Sequence, residues 1–167
     1  MPSFFDRYIK LVEDIDVIDA LTKYGSQYLQ NERQLLTELG DKVYAPGKWT
    51  VKDILQHLID TERIFAYRAL RISRSDTTAL PGFDENFYAE HTTAASRSVD
   101  DLLYEFSSVR SSTTLLFKSF SNDMLQNEGI SSTITISPLA IGFATVGHVI
   151  HHLNVLKERY YPLAHLA

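Results

Sequence analysis

The chain has 167 residues, sets 16 Lys and Arg against 21 Asp and Glu for a formal charge of −5, and contains no cysteine. That length suits one domain with a core large enough to fold without staples, so residues 1–167 read as a single unit. The missing thiols exclude disulfides, thiolate-bound metals, iron–sulfur clusters and a cysteine nucleophile, and the acidic balance gives no electrostatic case for nucleic acid. No Walker loop or glycine-rich dinucleotide fingerprint occurs. No apolar run approaches the roughly 20 residues of a membrane span, and the opening MPSFFDRYIKLVEDID lacks the basic region and apolar stretch of a signal peptide. No membrane association is therefore expected, and the cytoplasm is the expected compartment.

The first helical segment covers about residues 15–39, with a break at Gly25 left open and a stop at Gly40. The turn YAPGKWT follows, ending in Thr50, an N-cap with Asp53 three residues on as in a capping box. A second helix continues through VKDILQHLIDTERIFAYRALRISR. The long loop SDTTALPGFDENFYAEHTTAAS holds one short helix near residues 84–89. Ser98, with Asp101 three residues on, opens a third helix that lasts to about residue 120, and SNDMLQ forms a short helical turn. NEGISSTITIS alternates apolar and polar residues, as a hairpin or an extended arm does. Ser137 and Pro138 then form an N-cap and first-position pair for a fourth helix that ends near residue 160. Four helices of roughly 20 residues joined by two long connections predict an all-α fold, a four-helix bundle.

The segment GHVIHHLNVL holds three of the six histidines. At 100° per residue, with His148 at zero, the apolar residues of the fourth helix centre at roughly 135°. His152 falls at about 40° and borders that face beside His148, whereas His151 falls near 300° and reads as a bystander pointing away. Histidines at i and i+4 can share one metal ion; solvated or hydrogen-bonded rings are the other reading. On the second helix His57 also borders its apolar face, so two helix edges can bring His57, His148 and His152 together. Three neutral nitrogens leave coordination positions open, the pattern of catalytic sites; a closed structural ion completed by a carboxylate is the alternative. No Glu follows His148, which excludes the H-E-x-x-H peptidase motif.

PGKWTVKDILQHLIDTERIFAYRALRISR, LPGFDENFY and GHVIHHLNVLKERYY together resemble the DinB-like superfamily, also called the DinB/YfiT-like metalloenzymes. The resemblance spans about residues 8–161. It implies an antiparallel four-helix bundle with an unusual connection and a divalent ion on three histidines, which fall here on His57, His148 and His152. It also implies a homodimer. Within such a family some members are thiol-dependent transferases, some maleylpyruvate isomerases and others hydrolases. The expected cofactor is one divalent ion, zinc or nickel, which both accept imidazole nitrogen. The expected activity is hydrolysis or thiol-dependent transfer on a small molecule, with a low-molecular-weight thiol as a candidate cosubstrate. A non-catalytic stress or binding protein with a structural ion is the competing function.

Around the histidines, Glu62 is a candidate to orient an imidazole or act as a base, or else to form a structural pair with Arg or Tyr. Thr61, one turn beyond His57, is a candidate to contact a water at the ion, or else to satisfy its own helix. Arg68 and Arg71 project near His57 and can receive an anionic substrate, unless they belong with Arg63 and Arg74 to a solvated basic face. Phe83, Phe87 and Tyr88 form a lid or ordinary packing. Trp49 packs the start of its helix, and His91 and His165 read as solvated.

Overall fold

Residues 3–164 are described by a computed structural model. The chain starts with α1 (Ser3–Ile9), then a broken helix made of α2 (Val17–Lys23), α3 (Ser26–Gln30) and α4 (Arg33–Glu38). The expected break at Gly25 is present, and a second one falls at residues 31–32. The first break has a definite partner: the Arg110 guanidinium donates to the Leu21 and Tyr24 carbonyls at 3.4 and 2.7 Å, taking the place of helix continuation at the end of α2.

The long α5 (Val51–Ser73) begins at Thr50, whose hydroxyl accepts from Asp53 N while Thr50 N donates to the Asp53 carboxylate at 2.9 Å. It stops where Ser75 turns left-handed at φ 59°. The short α6 (Glu85–Glu90) is capped by Asp84, α7 (Val99–Lys118) by Ser98, and α8 (Asn122–Gln126) by Ser121. Strands β1 (Gly129–Ser131) and β2 (Ile134–Ile136) pair antiparallel, so the alternating segment is a hairpin. Helix α9 (Pro138–Val155) starts on Ser137 and passes through a π-helical turn, Leu156–Tyr160, into α10 (Tyr161–Ala164).

The bundle is not the simple up-and-down arrangement. Both α5 and the broken α2–α4 rod pack on α7 and on α9, so these two consecutive helices are diagonal partners. The connections 39–50 and 119–137 therefore cross the ends of the bundle. The helical run Pro138–Ala164 is long and apolar enough to span a membrane by length and composition. The sequence reading missed this because polar residues interrupt the run; in the fold its apolar surface is mostly buried as the central wall of the core.

Two apolar clusters fill the interior. One gathers Phe65, Ile72, Phe117 and Ile141, and the other Leu55, Ile59, Phe106 and Leu153. Between them α5, α7 and α9 contribute buried polar residues: Thr61 and Glu62, Arg110 and Thr113, Thr145 and His148. Across this layer Arg110 donates twice to the Glu62 carboxylate, each bond 2.8 Å long. The pair ties α5 to α7, and Arg110 extends the tie to α2.

The first helix lies against α9 because of one glycine. A Cβ built on Gly147 would sit 2.0 Å from the Tyr8 carbonyl oxygen, so only a residue without a side chain admits this backbone contact. Gly147→Ala is expected to cost about 1–3 kcal/mol in urea unfolding, the usual range for forced overpacking. It should also speed tryptic cleavage at Arg7 and Lys10 while far-UV helicity is retained. Arg110→Met is expected to cost about 3–5 kcal/mol by stranding the Glu62 charge, and adding Glu62→Leu should recover much of that loss. Equal stability of the single and double variants in the same urea assay would contradict the buried pair.

Candidate metal centre

Facing edges of α5 and α9 bring His57, His148 and His152 together, as the helix geometry anticipates. One ring nitrogen from each residue lies within 4.8 Å of the other two. Nε2 of His148 is 3.0 Å from Nε2 of His57 and 3.1 Å from Nε2 of His152. The ring centroids form a near-equilateral triangle with sides of 4.8, 4.9 and 4.5 Å. His148 is buried, while His57 and His152 keep part of their surface open to a cavity.

Burial keeps all three rings neutral. Desolvation pushes the His57 pKa down to about 4, and it holds His148 and His152 well below the ordinary histidine value, reinforced by the neighbouring imidazoles. Their nitrogens are therefore lone-pair donors at neutral pH. The set is all nitrogen, the chemistry that suits zinc or nickel. Thr61 Oγ1 approaches Nδ1 of His57 at 3.4 Å, on the side away from His148.

The cavity in front of the trio has a volume of about 480 Å³, ordinary for a small-molecule site. Its wall includes residues that sequence reasoning did not connect with the histidines. Tyr8 stands edge-on to His148 at 5.2 Å and to His151 at 5.4 Å, and its hydroxyl accepts from Arg7 Nη2 at 2.8 Å. The signal for α1 was present: Phe5, Tyr8, Ile9 and Val12 recur at helical spacing. His151 requires a correction. It stays outside the trio but does not point away to solvent, because α1 covers that face of α9 and makes it part of the cavity wall. Trp49 is more than helix-start packing. Its ring lies 4.9 Å from that of His57, and its carbonyl accepts from Tyr160 at 2.5 Å, so the π-helical turn helps seat it.

The remaining candidates separate cleanly. Glu62 is fully engaged by Arg110 and does not line the cavity, so of its two readings the structural pair is the one observed. Thr61 lines the cavity beside His57. Arg68 is buried in the cavity wall, whereas Arg71 is taken by Asp76 and the Tyr67 hydroxyl. Arg63 pairs with Glu105, and Arg74 contacts Ser73 and Met124. Phe83 reaches the cavity and packs on Tyr88; Phe87 instead stacks on His91, which also contacts the Phe87 carbonyl through Nδ1. His165 lies outside the described residues.

Buried neutral histidines make stability depend on pH with a fixed sign. Between the unfolded value near 6.5 and the folded value near 4, the unfolded chain binds more protons, so stability falls as pH falls. The unfolding free energy of the metal-free chain in urea should therefore fall as pH drops below about 6.5, approaching about 1.4 kcal/mol per pH unit for each such ring. His57→Phe should flatten the profile, and an unchanged profile would count against burial of neutral rings.

Known proteins place this arrangement in context. A comparison with curated proteins finds no match. Among solved structures the fold matches YfiT from Bacillus subtilis, described as "a probable metal-dependent hydrolase with an unusual four-helix bundle topology". The superposition has a TM-score of 0.73, covers 98% of this chain and 89% of that one, and joins sequences only 17% identical. It establishes the shared bundle. The family model of the DinB superfamily matches residues 6–156, which include His57, His148 and His152, and the chain belongs to that superfamily.

Proposed function

We propose that this chain is a metal-dependent hydrolase of a small molecule, with His57, His148 and His152 as ligands of one zinc or nickel ion. The observation that carries the reading is the convergence of three neutral imidazole nitrogens on one point at the wall of a cavity. Protons alone suit that geometry badly. Nε2 of His148 offers either one proton or one in-plane lone pair, yet it faces Nε2 of both neighbours at hydrogen-bond distance. A cation between the rings uses all three lone pairs. With no carboxylate in the group, magnesium and calcium are poor candidates.

When bound, such an ion supplies an open Lewis-acid position that lowers the pKa of water toward neutrality. The chain supplies the rest. Thr61 beside Nδ1 of His57 favours the tautomer whose Nε2 lone pair faces the site. Trp49 and Tyr8 pack against the rings of His57 and His148, limiting their rotation and excluding bulk water. Tyr8, held as the neutral phenol by burial, accepts from Arg7 and keeps its own O–H to donate to a substrate oxygen. The description of YfiT supports hydrolysis over thiol transfer.

Elemental analysis of protein supplied with zinc or nickel is the direct test, with one ion per chain expected at neutral pH. His152→Ala should keep its helical signal, lose the ion and lose hydrolysis of small esters or amides by more than about a hundredfold. Absence of bound ion overturns the proposal. Wholesale unfolding of His152→Ala, or of the parent chain on chelation, would instead favour a structural ion.

A further inference from the structure

Arg68 stands apart from its neighbours on α5. Arg63 and Arg71 pair with Glu105 and Asp76, but no carboxylate pairs with Arg68 among the described residues, although it is only 5% exposed. Its single hydrogen bond runs from Nη2 to the Pro81 carbonyl at 2.8 Å, and its Cζ lies 5.9 Å from the ring centroids of Phe65 and Phe83. One neutral acceptor and two aromatic rings offset little of the cost of burying a cation. The remaining guanidinium N–H groups belong to a side chain in the wall of the histidine cavity.

We propose that Arg68 binds a carboxylate of the substrate, so that the substrate is a small acid with its hydrolysable bond at the opposite end. This rests on the cavity being the substrate site, as argued above. Arg68 lies about three helical turns from His57 along α5. The intervening Phe65 ring is 5.9 Å from Arg68 Cζ and 6.4 Å from the His148 ring, so one small molecule reaches both ends. A planar guanidinium matches a carboxylate in shape and makes two parallel hydrogen bonds to it. Charge favours a monoanion over a phosphate. The other charged side chains lining the cavity are Arg7 and Glu85, on exposed residues, so a dianion at Arg68 meets one buried positive charge only. Ser131, 2% exposed and also in the wall, has no hydrogen-bond partner for its hydroxyl among the described residues and adds a donor for the same group.

Calorimetric titration of the full chain, with its metal content measured alongside, tests this with three probes: 3-phenylpropanoate, its neutral amide and 2-phenylethyl phosphate. The acid is expected to bind about tenfold more tightly than the amide. That preference should vanish in Arg68→Gln, persist in part in Arg68→Lys, and survive in His152→Ala. Equal binding of acid and amide, no binding of the acid, or tighter binding of the phosphate overturns the assignment. So does a preference kept in Arg68→Gln but lost in His152→Ala, because the acid then sits on the ion. If Arg68→Gln does not fold, the acid–amide comparison and Arg68→Lys still decide. A chain that binds no metal yet shows the Arg68-dependent preference would refute the hydrolase reading and leave the carboxylate site at Arg68 standing.

Discussion

A bundle that carries polar side chains across the middle of its core has to satisfy each of them without bulk water, and most of this structure follows from how that is done. On α5, Glu62 follows His57 by five residues and so points about 140° away from it. The carboxylate is thus delivered to Arg110 on α7, and the imidazole to His148 and His152 on α9. The first half of the layer neutralises itself as an ion pair, which also captures the last carbonyls of α2. The second half stays neutral by giving up protons. One consequence is chemical: the buried carboxylate of α5 is held by Arg110 and unavailable to the histidines, so the donor set is nitrogen alone.

The order of the helices shapes what surrounds that donor set. Because α5 and the α2–α4 rod are diagonal, the chain must cross the bundle ends twice, and both crossings serve the cavity. The first delivers Trp49 to the face of His57. The second becomes the hairpin, whose turn residues Ser132 and Thr133 line the wall. Ser132 holds a left-handed φ of 57°, a position where glycine is usual, and here a polar side chain is kept in its place. The loop after α5 joins the same structure, with Leu80 N donating to Ile130 O and Ser132 N to Leu80 O.

Much of this was legible in the residues. Capping chemistry is local, so Thr50, Ser98 and Ser137 announce their helices without knowledge of the fold. Helical periodicity likewise separates His148 and His152 from His151, because it depends only on the position of each residue around one axis. It failed for the surroundings of His151 and for the partner of Glu62, since both depend on which neighbour covers a given face. A short α1 of seven residues has too few turns for periodicity to weigh strongly, and its docking rests on a backbone contact that no side-chain pattern encodes. The second break, at residues 31–32, has no glycine or proline to mark it.

That backbone contact between Gly147 and Tyr8 divides labour within the molecule. The rings that converge are carried by two long helices whose packing is set deep in the core, whereas much of the cavity's cover is carried by α1, seated on a bare stretch of α9. Residues 5, 7 and 8 thus form cavity wall on a segment outside the two helices that carry the imidazoles, with Tyr8 reaching across to the His148 ring. The nitrogens and the part of the wall that α1 supplies therefore belong to separate segments of the chain, joined where one glycine lets two backbones touch.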